Sequence, residues 1–297
     1  MSNPATKETL LKRLEGVQQL PTIPAVLAPL LRYLQQPLEQ IDVQRATDLI
    51  AQDKALAAQC LQMANSPLFG RWQKVDSLRA AVLGLGFHRL NDIAVSCSVL
   101  NMVPRDTGID PVAFWEHSLG SALVCRQLAR LISYPDPGKA YLSGLLHDIG
   151  IIAELSTMAK EFRGAFELAR KEAIPLHEAE QKVLGFSHCD TGQILAQRWE
   201  LPADLIEVVA LHHAPSKAPE YEALVAIVEL SDLLCRMSGL NHGYLEKREV
   251  NLLQQPAFSV LARHFQPVKD LDWARLTFEM DSYMDDVHSL VHAIYRS

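Results

Sequence analysis

With 297 residues, 48% of them hydrophobic and 21% charged, the chain can bury the core of one large domain or two modest ones. That balance excludes a disordered polyelectrolyte and a membrane bundle. The formal charge of −7 supplies no overall field for a phosphate backbone, so nucleic acid is not an expected partner. Five scattered cysteines, Cys60, Cys97, Cys125, Cys189 and Cys235, form no C-x-x-C pair, which fits a reducing compartment. The first residues have no apolar leader, and Glu229, Asp232 or His88 interrupts the most hydrophobic later stretches before spanning length. A cytoplasmic protein with no membrane contact is expected.

Apolar residues recur at helical spacing from the start, as in Leu10, Leu11, Leu14 and Val17. Pro21 to Pro24 punctuate the chain, and a helix opened by Pro24 should be bent at Pro29. Asp42, Ser77 and Asp110 each stand as an N-cap before an apolar-periodic run, the last followed by Pro111 at the first helical position. Asn65-Ser66-Pro67 reads as a turn whose side chains cap a helix end. Gly84-Leu85-Gly86 has two glycines of a dinucleotide fingerprint but no preceding strand, and is read as a helix break. Further punctuation falls at Val103 to Asp110, Tyr134 to Gly138 and Ala214 to Glu220. Strand-like alternation is hard to find, so the expected class is all-α. The expected organisation is an N-terminal helical half over 10–105, a helical bundle over 110–240 and a helical extension over 241–297.

The most informative segment is Ser143 to Ile152, where His147 and Asp148 interrupt an apolar run. Burying both unpaired is costly, and a metal cation is the strongest partner that could replace water. Neighbours on a helix splay by roughly 100°, so other ligands must come from elsewhere. His117, His188, His212, His213 and Asp232 stand in or beside predicted helices, and the steps from His117 to His147, to His188, to the His212-His213 pair and to Asp232 are each about one helix and its connection. Successive helices of a bundle can bring such residues to one point. Imidazole with carboxylate and no thiolate favours iron, manganese, zinc or a similar divalent or trivalent ion, and the ligand count allows two metals sharing Asp148. The alternative is a remnant in which the same groups hydrogen-bond to one another.

His177, His242, His264, His288 and His292 are read as surface or packing residues, and Cys125 and Cys189 as small buried hydrophobes. No G-x-S-x-G nucleophile turn is present. The single basic cluster with an aromatic, Arg71-Trp72-Gln73-Lys74, is too short for an RNA platform.

These residues resemble the HDOD domain proteins of bacteria, relatives of the HD phosphohydrolases and HD-GYP phosphodiesterases. The first half of the resemblance rests on Leu20 to Val26, Leu49 to Leu56, Met63 to Pro67 and Ala80 to Gly86; the second on His117, Gly144 to Gly150, His188, and Trp199 to Pro202 leading to His212-His213. It implies an all-helical fold with an N-terminal half packed against an HD-like half, and a regulatory output role exercised on a protein partner or through self-association. It further implies one metal ringed by His117, His147, Asp148 and Asp232, with Asp148 bridging to a second held by His188 and His212. His213 would complete that shell or face a ligand.

The chain departs from HD-GYP enzymes in having Ile151 where they place a lysine, Ala113 where some relatives place an acidic ligand, and no GYP loop after His213. Poor cyclic dinucleotide hydrolysis is expected as a result. Two other functions compete with the regulatory module: a metal-dependent phosphohydrolase, and a sensor of metal, oxygen or a small ligand. The N-terminal half and its junction are expected to carry the partner or dimer surface, with Phe69, Arg71 and Trp72 partly exposed.

Overall fold

The computed structural model describes residues 20–33, 36, 38–69, 74–100, 102, 109–247 and 250–296. Among them there is no strand, and no helix is long and apolar enough to cross a membrane. The chain divides into two compact units, one of residues 23–102 with 274–297 and the other of residues 103–273 with the segment up to Thr22.

The first unit holds α1 (Leu27–Tyr33), α2 (Val43–Gln52), α3 (Lys54–Ala64), α4 (Leu78–Leu85) and α5 (Phe87–Leu100). The expected caps are in place: Asp42 Oδ1 accepts from Arg45 N at 2.9 Å, and Ser77 Oγ from Ala80 N at 3.2 Å. Helix α5 packs against α1, α3 and α4. Asn91, fully buried within it, donates to the Leu30 carbonyl at 2.9 Å. Gly86, with φ of +86°, is the break between α4 and α5.

Two expectations for this unit change. Pro29 bends nothing, because α1 starts at Leu27 and places Pro29 in the first turn, where backbone N–H groups have no intrahelical acceptor in any case. Phe69 is not an exposed anchor, since it is buried at 1% exposure; Arg71 and Trp72 lie outside the described residues. Asn65 ties the turn together, donating from Nδ2 to the Leu61 and Val75 carbonyls at 2.8 and 2.9 Å and accepting from Val75 N at 2.8 Å.

The second unit is built from α6 (Pro111–Leu131), α7 (Pro137–Leu146), α8 (Ile149–Thr157), α9 (Ala159–Glu172), α10 (Leu176–Val183), α11 (His188–Arg198), α12 (Ala203–Leu211), α13 (Glu222–Met237), α14 (Pro256–His264) and α15 (Pro267–Asp270). The remaining helix, α16 (Trp273–Arg296), belongs almost wholly to the first unit. Asp110 caps α6 through Val112 N at 2.9 Å, and Asp136 caps α7 through Lys139 N at 2.9 Å, each just before a proline. Helices α6, α7 and α13 pack together, and α8 packs on α11.

The α8–α11 contact is unusually close. A Cβ on Gly150 would overlap the His188 carbonyl and lie 2.7 Å from Gly192 N, and a Cβ on Gly192 would lie 3.2 Å from Gly150 N. Paired glycines therefore let two helix backbones touch at the point where His188 enters.

Candidate metal centre

His147 and Asp148 do not share a continuous helix. His147 closes α7 and Asp148 opens α8, and this break turns both side chains toward one point. His117 reaches the same point from α6, His188 from the first residue of α11, His212 and His213 from the end of α12, and Asp232 from α13. All are buried except His213, which is partly so. The structure thus brings together all seven residues singled out by sequence.

Asp148 lies between two groups. On its Oδ2 side, His117 Nε2 is 3.5 Å away, His147 Nε2 3.2 Å and His242 Nε2 2.9 Å, while Asp232 Oδ1 lies 3.2 Å from His117 Nε2. On its Oδ1 side, His188 Nε2 is 3.2 Å away and His212 Nε2 3.5 Å, with His213 Nε2 3.2 Å from His188 Nε2.

The other ring nitrogens are already committed. His117 Nδ1 donates to the Leu240 carbonyl at 2.8 Å and His147 Nδ1 to the Gly144 carbonyl at 2.8 Å. His188 Nδ1 donates to Glu180 Oε2 at 2.8 Å, and His212 Nδ1 to the Val209 carbonyl at 3.1 Å. With Nδ1 carrying the hydrogen, each neutral ring aims an Nε2 lone pair inward. Yet His117 and His147 face each other at 3.2 Å, and His188 and His212 at 3.3 Å. Asp148 Oδ1, fully shielded from solvent, accepts no hydrogen bond. Inward-facing ring nitrogens crowded around a shielded carboxylate fit a cation, and anchoring each ring through its far nitrogen is how proteins orient metal-bound histidine.

The electrostatics point the same way. Burial opposes charge on every member, but His147 and His188 hold the Asp148 carboxyl well below the usual carboxylate range, and Arg236 with His117 holds Asp232 below it. Against burial, Glu180 and Asp148 push His188 well up, while Cys189 and Asp148 raise His212 to about 10. Burial and neighbouring histidines lower His147 and His213, and burial with His117 lowers His242 to about 4. Two carboxylates held ionised inside a buried cage require positive charge, whether from protons or from metal.

His242 is not a surface or packing residue. It is 6% exposed, hydrogen-bonds to Asp148 Oδ2 and lies 4.4 Å, centroid to centroid, from the His117 ring. Three more contributors were not read from sequence. Glu180 holds both the backbone N and Nδ1 of His188 at 2.8 Å. Arg236 makes two bonds to Asp232, at 2.9 and 2.8 Å, and two to Glu246, at 2.8 and 2.9 Å. Cys189 brings its sulfur 3.8 Å from His212 Nδ1. Glu180 and Arg236 sit four residues or fewer from other charged side chains on amphipathic helices, where a solvated face is the ordinary reading.

Removing the Glu180 carboxylate is expected to leave the fold intact and to weaken metal binding on the His188 side by roughly 10- to 100-fold, the usual cost of losing an outer-shell partner. Metal titration of a Glu180→Ala variant checks this, and unchanged affinity would show that His188 needs no such support.

The space left among these groups is about 10 Å³, bordered by Asp148, Leu176, His177, His188, His213, Asp232, Arg236, His242 and Glu246. A larger cavity of about 540 Å³ lies beside it, with His177, Cys189, His213 and Lys217 among its lining residues. His177 stacks on His213 with centroids 3.9 Å apart, between the two spaces.

The described residues thus form an all-helical fold with a buried histidine–aspartate cluster at a helix break. The HDOD domain family model matches residues 20–215, and the chain belongs to that family. An HDOD domain protein of unknown function from Geobacter sulfurreducens is similar over 97% of this chain and 98% of its own, with 27% identity and a TM-score of 0.82. A candidate phosphohydrolase from Shewanella amazonensis SB2B shares the fold over 96% of this chain and 97% of its own, with 21% identity and a TM-score of 0.73. A curated relative, an uncharacterized protein of Treponema pallidum (strain Nichols), is 25% identical over 224 residues. That match takes in 75% of this chain and 43% of the relative, so the chain spans less than half of that protein's length.

Proposed function

We propose that the chain is a signal-transduction output module whose histidine–aspartate centre holds one or two metal ions for structural and regulatory ends. It acts by contacting a protein partner in a signalling pathway or a second copy of itself. His117, His147, Asp148, Asp232 and His242 would hold one ion, and Asp148 with His188, His212 and His213 the other. The imidazole and carboxylate donors suit iron, manganese or zinc.

The observation that carries this reading is how little room the centre leaves. Hydrolysis by a metal needs an open coordination position and room for the phosphate. The remaining space of about 10 Å³ is at the lower limit for a single water molecule. Arg236, the guanidinium bordering it, is bound by Asp232 and Glu246 and has no free edge for a phosphate. Ile151 is fully buried and offers no charge.

A metal-dependent phosphohydrolase is the second reading, favoured by the cavity of about 540 Å³ that reaches His213 and carries Lys217. The two separate in one assay. Metal-loaded protein is expected to turn over neither a generic phosphodiester nor a cyclic dinucleotide at ordinary enzyme rates of roughly 1 per second or more. Turnover at such rates that a His147→Ala variant abolishes would establish the hydrolase instead.

A further inference from the structure

Cys189 is the second residue of α11, directly after His188. Its sulfur lies 3.8 Å from His212 Nδ1 and 3.9 Å from His212 Nε2. Donor atoms from His188, Cys189, His212 and His213 all lie within 4.8 Å of one another. In a tetrahedral zinc site with bonds of about 2.0–2.1 Å to nitrogen and about 2.3 Å to sulfur, donor atoms stand roughly 3.3 Å apart for two nitrogens and roughly 3.5 Å for nitrogen and sulfur. The His188–His212 and His188–His213 separations of 3.3 and 3.2 Å already match that edge. Measured to His212 Nε2, the sulfur at 3.9 Å is a few tenths of an ångström outside it, and it lies within 4.8 Å of the His188 and His213 donors. Independently, the shielded and unbonded Oδ1 of Asp148 is aimed at the same place.

The five cysteines are not equivalent. Cys60, Cys97, Cys125 and Cys235 are buried, and Cys189 is the one that reaches the surface. It does so in the cavity of about 540 Å³, beside His213, so an ion arriving from solvent meets Cys189 and His213 before the deeper histidines.

We propose that Cys189 is a thiolate ligand of the metal position on the Oδ1 side of Asp148, making that position thiophilic while the Oδ2 side remains a nitrogen and oxygen site. On binding, the thiol loses its proton to solvent and the sulfur lone pair forms the metal bond. The two positions then differ in preference: zinc and cobalt go to the sulfur side, and harder ions such as manganese are discriminated against there. This rests on the metal-centre reading above and assigns a ligand that the histidine–aspartate pattern does not contain.

The test is titration of the metal-free chain with cobalt(II) while recording absorption. A near-ultraviolet sulfur-to-cobalt charge-transfer band is expected in the native chain, and its loss in Cys189→Ser with the visible ligand-field bands of the remaining site retained. Zinc affinity of that variant should fall by at least the roughly 10- to 100-fold that loss of an outer-shell partner costs. A thiol reagent should modify one cysteine rapidly in the metal-free chain and none in the zinc-loaded chain. Cobalt binding without the charge-transfer band, or full reactivity of Cys189 in the zinc-loaded chain, would overturn the sulfur ligand alone. Failure to bind any cobalt would overturn both it and the metal centre.

Discussion

An Asp148→Ala chain is expected to lose metal from both positions and to be destabilised by about 3 kcal/mol or more, the usual result of removing one partner from a buried charged group. Asp148 faces both groups of histidines, Oδ2 toward His117, His147 and His242 and Oδ1 toward His188 and His212. Without it the rings remain anchored through Nδ1, so their lone pairs stay crowded while the anion between the two groups that would balance a cation or a proton is gone. Asp148→Asn separates charge from shape: it keeps the volume but neutralises the anion, and should lose metal nearly as completely. Elemental analysis of the purified variants, with denaturant unfolding on the same samples, reads both effects. Retention of native metal content in Asp148→Ala would remove Asp148 from the centre.

Gly150→Ala should be comparably damaging although it deletes nothing. The added methyl would overlap the His188 carbonyl and crowd Gly192 N, both rigid backbone atoms, so α8 and α11 must separate. Overpacking against side chains typically costs about 1–3 kcal/mol, and a clash with backbone belongs at or above the upper end. Because His188 is the residue pushed, binding at the Oδ1 side should weaken as well. Gly164 on α9 supplies the contrast: a Cβ there meets only Val183 Cγ1 at 3.8 Å, and Gly164→Ala should be neutral or stabilise by up to about 1 kcal/mol through helix propensity. Unfolding curves of the two variants check the pair, and equal stabilities would mean that the close approach does not matter.

The all-helical class was legible because its signals are local. Asp42, Ser77 and Asp110 cap helices where the sequence places them, and Gly86 breaks one where it was expected. The seven candidate ligands were legible because ionisable groups inside apolar runs demand a partner, and the fold brings them to one place. Pro29 misled because a helix start is displaced by three residues, which changes a helix-breaking position into a permissive one. Phe69 misled because an aromatic beside a turn is as ready to be core as interface. His242 was hidden for a different reason. It stands in a loop between Gly239 and Gly243, both at positive φ, with no apolar run around it, so its neighbourhood reads as a turn. Only the return of that loop to α6, seen in the hydrogen bond from His117 to the Leu240 carbonyl, brings it to Asp148. Cys189 was discounted because a single thiol carries no spacing signal, and its meaning depends on where His212 lies.

The measurement that bears most directly on the centre is diffraction from crystals of the protein, purified without chelator, at the absorption edges of manganese, iron and zinc. Two anomalous peaks are expected on either side of the Asp148 carboxylate, about 3.5–4 Å apart as in other carboxylate-bridged pairs, the first among His117, His147, Asp232 and His242 and the second among His188, His212 and His213. No anomalous peak, with the same rings joined by short hydrogen bonds to Asp148, would contradict the metal centre and leave a protonated histidine–aspartate core in its place.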